Sequence, residues 1–138
     1  MRIVLISDTH GLHDKITLPE GDMLIHAGDI SGRGMIPEVQ RFIDWYTSFN
    51  YKYKVFVGGN HDFLLEQQPA IFQSMLTDKI IYLENTGVEI EGVKIWGSPI
   101  TPYFFNWAFN RNRGADIKRY WEEIPVQLDF LVTHGPPL

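Results

Sequence analysis

Four short stretches of this chain carry side chains that bind cations: Asp8-Thr9-His10, Gly28-Asp29, Gly59-Asn60-His61-Asp62 and Thr133-His134-Gly135. Carboxylate oxygens, an amide oxygen and imidazole nitrogens together suit Mn, Fe or Zn better than Ca, which takes all-oxygen shells. Each stretch taken singly has a plainer reading. Asp-x-His and Gly-Asp after a strand are ordinary turns with solvated side chains. Asn, His and Asp at the start of a helix serve as caps. All four stretches, however, follow an apolar run, and that shared placement makes them one candidate metal site.

The runs that must position them are residues 3–6, 23–27, 55–57 and 130–132. The first is a continuous β-branched and leucine run, which predicts a strand buried on both faces. Val39, Phe42, Ile43, Tyr46 and Phe49 recur at helical spacing after Pro37, a residue suited to a first helical turn. A second helix is predicted after Asn60, through Leu64, Leu65, Ile71 and Met75, broken or kinked at Pro69. Residues 80–83, 87–90 and 93–96 read as short strands, with Glu91-Gly92 as a hairpin turn between the last two. Residues 98–114 read as one long loop and 116–122 as a short helix. Strand–helix alternation followed by hairpins predicts an α/β protein with two sheets between helices. In such folds ligands gather at the carboxyl ends of parallel strands, where the four stretches lie.

Composition narrows the function classes. The 138 residues, 44% hydrophobic, suit one globular domain over 1–138. Twelve Lys and Arg stand against 17 Asp and Glu, a net charge of -5, which argues against a partner such as duplex nucleic acid. The absence of cysteine excludes thiolate zinc sites, disulfide frameworks and cysteine nucleophiles. The first apolar run has only four residues, too few for a signal-peptide core or a membrane span. A cytoplasmic protein with no membrane partner is expected. A Rossmann-type nucleotide site is excluded, because Asp8-Thr9-His10-Gly11 puts a carboxylate where a phosphate should approach.

In this order, the four stretches resemble the signature blocks of the calcineurin-like metallophosphoesterases. Residues 133–137, Thr-His-Gly-Pro-Pro, are most similar to the small phosphodiesterase branch of metallophosphoesterase-domain-containing proteins. The resemblance covers nearly the whole chain. It implies a four-layer α/β/β/α sandwich of two mixed sheets, holding two divalent ions about 3.5–4 Å apart. Mn is favoured, with Fe, Zn and Mg open. The resemblance implies that Asp8 and His10 bind one ion, that Asn60 and His134 bind the other, and that Asp29 bridges both. A hydroxide shared by the ions would attack a small phosphodiester, a nucleotide among the candidates, while His61 gives a proton to the leaving oxygen or stabilises charge.

Two departures from the family pattern qualify this. Gly32 stands where the protein phosphatases carry a further Asp, which argues against phosphoprotein substrates. The family's last block, Gly-His-x-His, is not reached by residue 138. The expectation is therefore a truncated, C-terminally incomplete domain of weak activity, with a homodimer covering the open edge. A catalytically inactive metal-binding or interaction module is the rival reading.

Among the other polar residues, His26 is expected to be a hydrogen-bonded core histidine. His13 and Arg33 are expected as solvated loop residues, each a candidate for touching substrate. The stretch 103–107 with Arg111 and Arg113 either covers a core edge or stacks a base and holds a phosphate. Without ions, repulsion between Asp8 and Asp29 should raise at least one carboxylate pKa.

Overall fold

The computed structural model describes residues 1–136; Pro137, which closes the run quoted above, and Leu138 lie outside the described residues. Strands β1 (Ile3–Ile6), β2 (Met23–His26), β3 (Tyr53–Phe56) and β4 (Ile81–Tyr82) form one sheet in that spatial order. Ile6 lies opposite His26, and His26 opposite Phe56, so three strands end level. Their turns therefore emerge side by side at one edge. Helix α1 (Ile36–Ser48) connects β2 to β3, and α2 (Phe63–Gln67) with α3 (Pro69–Met75) connects β3 to β4. The helix expected after Asn60 is thus two helices. Proline opens the second of them, where its missing N–H has no helical partner to lose.

Val39, Phe42, Ile43 and Tyr46 of α1 pack against Val4, Leu24 and Phe56 on one face of this sheet. Phe42, Phe56 and Phe72 are fully buried, each such ring contributing about 1.5–3 kcal/mol by area. The buried Tyr46 hydroxyl donates to the Val55 carbonyl at 2.6 Å, tying the helix to the strand beneath it. On the opposite face Met23, Ile25, Val55 and Val57 meet Ile90, Ile95 and Val132 of a second sheet. That sheet has the order β5 (Thr86–Ile90), β6 (Val93–Ser98), β9 (Phe130–Thr133). The β5–β6 hairpin is antiparallel and β6–β9 parallel, so the second sheet is mixed, whereas the first is parallel throughout among the described residues. Thr133 lies level with Ser98, which delivers His134 to the same edge as the turns of the first sheet.

Two expectations need correction. Residues 98–114 are not all loop: β7 (Thr101–Pro102) and β8 (Asn110–Arg111) pair in parallel, and helix α4 (Ala115–Glu122) follows. Two-residue strands flanked by proline and aromatics leave no alternation to detect. Strand β1 is not buried on both faces either, because it is the sheet's edge and Leu5 is 64% exposed. Among the described residues no helix is long and apolar enough to cross a membrane.

Candidate metal centre

Beyond their last ladder bonds, β1 and β2 continue to pair through their turns. Asp8 N–H donates to the Gly28 carbonyl at 2.9 Å, His10 N–H to that of Asp29 at 3.0 Å, and Gly11 N–H to that of Ile30 at 3.2 Å. Asp8, His10 and Asp29 make this turn with φ of 55°, 47° and 59°. Left-handed backbone in residues other than glycine stores roughly 1–3 kcal/mol each, and such strain concentrates at functional sites. The β3 turn closes on them from the other side. A Cβ on Gly28 would lie 2.6 Å from His134 Nδ1, and one on Gly59 would collide with the backbone and carboxylate of Asp29. Only glycine permits that approach.

Asp62 rivets the turns together. Fully buried, it accepts from Ile30 N–H at 3.1 Å, Ser31 N–H at 3.0 Å, Ser31 Oγ–H at 2.7 Å and Gly59 N–H at 2.8 Å. Burial pushes its carboxyl up to about 6, against the pull of these donors. Glu38 plays a similar part at the start of α1, accepting N–H bonds from Gly32, Arg33 and Met35. Arg41 of the same helix donates to the Gly11 carbonyl at 3.0 Å.

Five expected ligands and His61 meet at this edge. Asp29 Oδ2 lies 3.3 Å from His134 Nε2 and 3.6 Å from His10 Nε2, and His10 Nε2 is 3.7 Å from Asp8 Oδ1. The side-chain amide of Asn60 is 2.9 Å from His134 Nε2. Two triads have ligand atoms all within 4.8 Å: His10, Asp29 and His61, and Asp8, Asp29 and His134. Asp29 belongs to both, as a bridging ligand should. The expected neighbours Asp8, His10 and Asp29 lie together, and Asp8 also reaches His134 while His61 also reaches His10 and Asp29.

The donor set fits divalent ions for a reason visible in the histidines. His134 Nδ1 is 3.0 Å from the Ala27 carbonyl and His61 Nδ1 is 2.9 Å from that of Gly32. Donation from Nδ1 to a carbonyl turns Nε2 of each ring toward the site, and for His134 this is the usual arrangement of a metal-ligating imidazole. Burial opposes a proton on His134, but the Asp29 carboxylate and the Ala27 carbonyl outweigh it and raise its pKa to about 9. A cation would replace that proton between His134, Asn60 and Asp29.

Asp29 is not the carboxylate that repulsion raises. Burial raises its carboxyl, but hydrogen bonds from His134 and the His61 N–H, the latter at 2.9 Å, bring it below its ordinary value. The imidazoles offset the carboxylate charge that was expected to dominate.

His26 is a core residue as expected, wholly buried, with Thr9 Oγ1 2.9 Å from Nε2 and Gly28 N–H donating to Nδ1. Burial lowers its pKa to about 3, which keeps it neutral. His13 does not fit its expectation. It is 4% exposed in a short 3-10 turn, packed against Trp45 and Phe42 of α1, and so is removed from solvent and substrate. Alternation cannot reveal a buried histidine in a three-residue turn. Arg33 is exposed as expected.

In the aromatic segment, Tyr103, Phe104 and Phe105 are 56–66% exposed and do not cover the core. Phe104 and Trp107 line a small pocket of about 180 Å³ with Asn60 and His134. Arg111 points instead at Glu66, 3.5 Å away, and at the Tyr120 hydroxyl. The support roles of Asp62 and Glu38 went unread in the sequence. Asp62 stood inside a quoted block, and Glu38 follows Pro37 at a helix start, a place where carboxylates cap.

The family model for the calcineurin-like phosphoesterases matches residues 1–138. The chain is 39% identical over 160 residues to metallophosphoesterase domain-containing protein 1 of Homo sapiens, covering 99% of this chain and 49% of that protein. Two UPF0046 proteins of Caenorhabditis elegans are 34% identical over 151 residues and 36% identical over 167. Each covers all of this chain, and the chain covers 52% and 42% of theirs. The chain thus spans about half the length of the curated relatives it matches. With its ligand blocks converging on one sheet edge around Asp29, the chain belongs to the calcineurin-like phosphoesterase family of metal-dependent phosphoester hydrolases.

Proposed function

We propose that this domain hydrolyses small phosphodiesters with two divalent ions, manganese foremost, held around Asp29. The observation that carries the proposal is one buried carboxylate oxygen, Asp29 Oδ2, that faces His10 on one side and His134 on the other. When bound, the ions supply positive charge for the phosphoryl oxygens and lower the pKa of water. Asp29, Asp8, His10, Asn60 and His134 would hold them. Asp29 also orients His61 by accepting its backbone N–H. With Nδ1–H given to the Gly32 carbonyl, His61 in its imidazolium form carries a second proton on Nε2, and that proton can pass to a leaving oxygen to leave a neutral ring. Arg33 on the exposed turn is the candidate to contact substrate phosphate. Gly32 in place of a further acid favours diesters over phosphoproteins, and the net charge of -5 disfavours duplex nucleic acid.

His61→Ala should leave the bound-metal count unchanged while lowering turnover of an aryl phosphodiester by about 10²–10⁴-fold. Metal analysis alongside the kinetics separates the two roles open to this residue. Loss of metal together with activity would make His61 a ligand of the His10–Asp29 triad and remove it as the proton donor.

A further inference from the structure

His61 is held on three sides. Its Nδ1 meets the Gly32 carbonyl, the His10 ring approaches at 4.8 Å and 79°, and the Trp107 ring lies over it at 4.3 Å and 33°. The first two contacts come from turns already committed to the metal site. The third comes from the segment between β7 and β8, which reaches across from the second half of the chain.

That segment is firmly fixed beside Trp107. Ala108 N–H donates to the Asn60 carbonyl at 2.9 Å, immediately before His61 in sequence. Phe109 N–H donates to Glu66 Oε2 at 2.8 Å, and the Phe109 ring is buried against Gly58. The Phe63 ring also neighbours Trp107, 6.3 Å away and inclined by 30°. Tyr103 and Phe105, on the same segment, are exposed by contrast. A tryptophan that only covered a core edge would have no reason to bring its ring within 4.3 Å of the imidazole.

We propose that Trp107 is a positioning residue for the phosphoesterase reaction, holding the His61 ring so that Nε2 faces the reacting phosphoester. The inference rests on the role given to His61 above. One carbonyl bond fixes a single atom of the ring and still permits rotation about it. A flat aromatic surface removes that freedom, which is the kind of small misplacement that lowers a turnover rate without changing binding.

The test compares Trp107→Leu with Trp107→Phe in the full 138-residue chain. Leucine keeps the apolar bulk and loses the aromatic face, whereas phenylalanine keeps the face. With manganese bound and an aryl phosphodiester as probe, Trp107→Leu should lower kcat by roughly three- to tenfold, as loss of one aromatic pair would. KM and metal stoichiometry should stay unchanged, and Trp107→Phe should recover most of the rate. Independently, in metal-free protein, the His61 ring-proton NMR resonances, assigned with His61→Ala, should sit upfield. They should move downfield in Trp107→Leu but not in Trp107→Phe. Unmoved resonances in Trp107→Leu would overturn the stacking, and an unchanged kcat would overturn the positioning role. If the unsubstituted chain cleaves no phosphoester, the functional reading fails separately, while the resonances still decide the contact.

Discussion

Asp29→Asn should empty the metal centre and abolish turnover while leaving the fold in place. Asparagine has the same shape, and its amide oxygen can keep the bond from the His61 N–H now made to Asp29 Oδ1 at 2.9 Å. What changes is the other atom. Asp29 Oδ2 faces His134 Nε2 at 3.3 Å and His10 Nε2 at 3.6 Å, and it is the oxygen best placed to serve both triads. Substitution replaces the bridging carboxylate with a neutral amide and removes the charge that offsets repulsion between two cations. Losing an outer partner of a ligand already costs about 10–100-fold in metal affinity, and loss of the shared ligand should exceed that. The check is metal content after dialysis, with a thermal melt of the metal-free protein as control. A full metal complement in Asp29→Asn would contradict the bridging assignment.

Asp62→Ala should act through the fold instead. Three backbone N–H groups and the Ser31 hydroxyl converge on this one buried carboxylate. Alanine would leave all four without an acceptor in a site closed to solvent. Each buried unsatisfied donor costs about 1–3 kcal/mol, and partial relaxation or an entering water would recover some of it. A net loss of about 3–5 kcal/mol is expected, a large fraction of the 5–15 kcal/mol typical of a domain. The donors belong to the residues flanking Asp29 and Asn60, so metal affinity should fall as well, although Asp62 is outside both triads. Urea unfolding of the metal-free protein measures the first effect and manganese titration the second. A stability change under 1 kcal/mol would show that the three turns hold together without this carboxylate.

The strands and their polar ends were legible because two independent signals coincided. Apolar runs marked the strands, and turns rich in Gly, Asp, Asn and His marked where each ended. Strand β9 illustrates this, since the run Phe130-Leu131-Val132 is followed after Thr133 by His134, an expected ligand. Legibility failed where the deciding contact was remote. His13 is buried by Trp45 and Phe42, some thirty residues away in α1, and nothing local to its turn announces it. Leu5 has the same composition as a buried strand residue, and only its place on the edge of the sheet exposes it. The lowered carboxyl of Asp29 depends on His134, 105 residues later, whose hydrogen bond outweighs an effect guessed from carboxylates alone. Trp107 was read together with its aromatic neighbours, yet the backbone bond from Ala108 to Asn60 turns it alone toward His61.

The central claim is that ions gathered around Asp29 carry out phosphoester hydrolysis. Its most direct test is a manganese titration of chelator-stripped protein, with aryl phosphodiester turnover and bound ions counted in the same samples. The expected result is no turnover in the stripped chain and turnover that rises with ions bound, reaching its limit at two per chain. Turnover that continues undiminished after stripping, or that ignores the bound-ion count, would contradict the account.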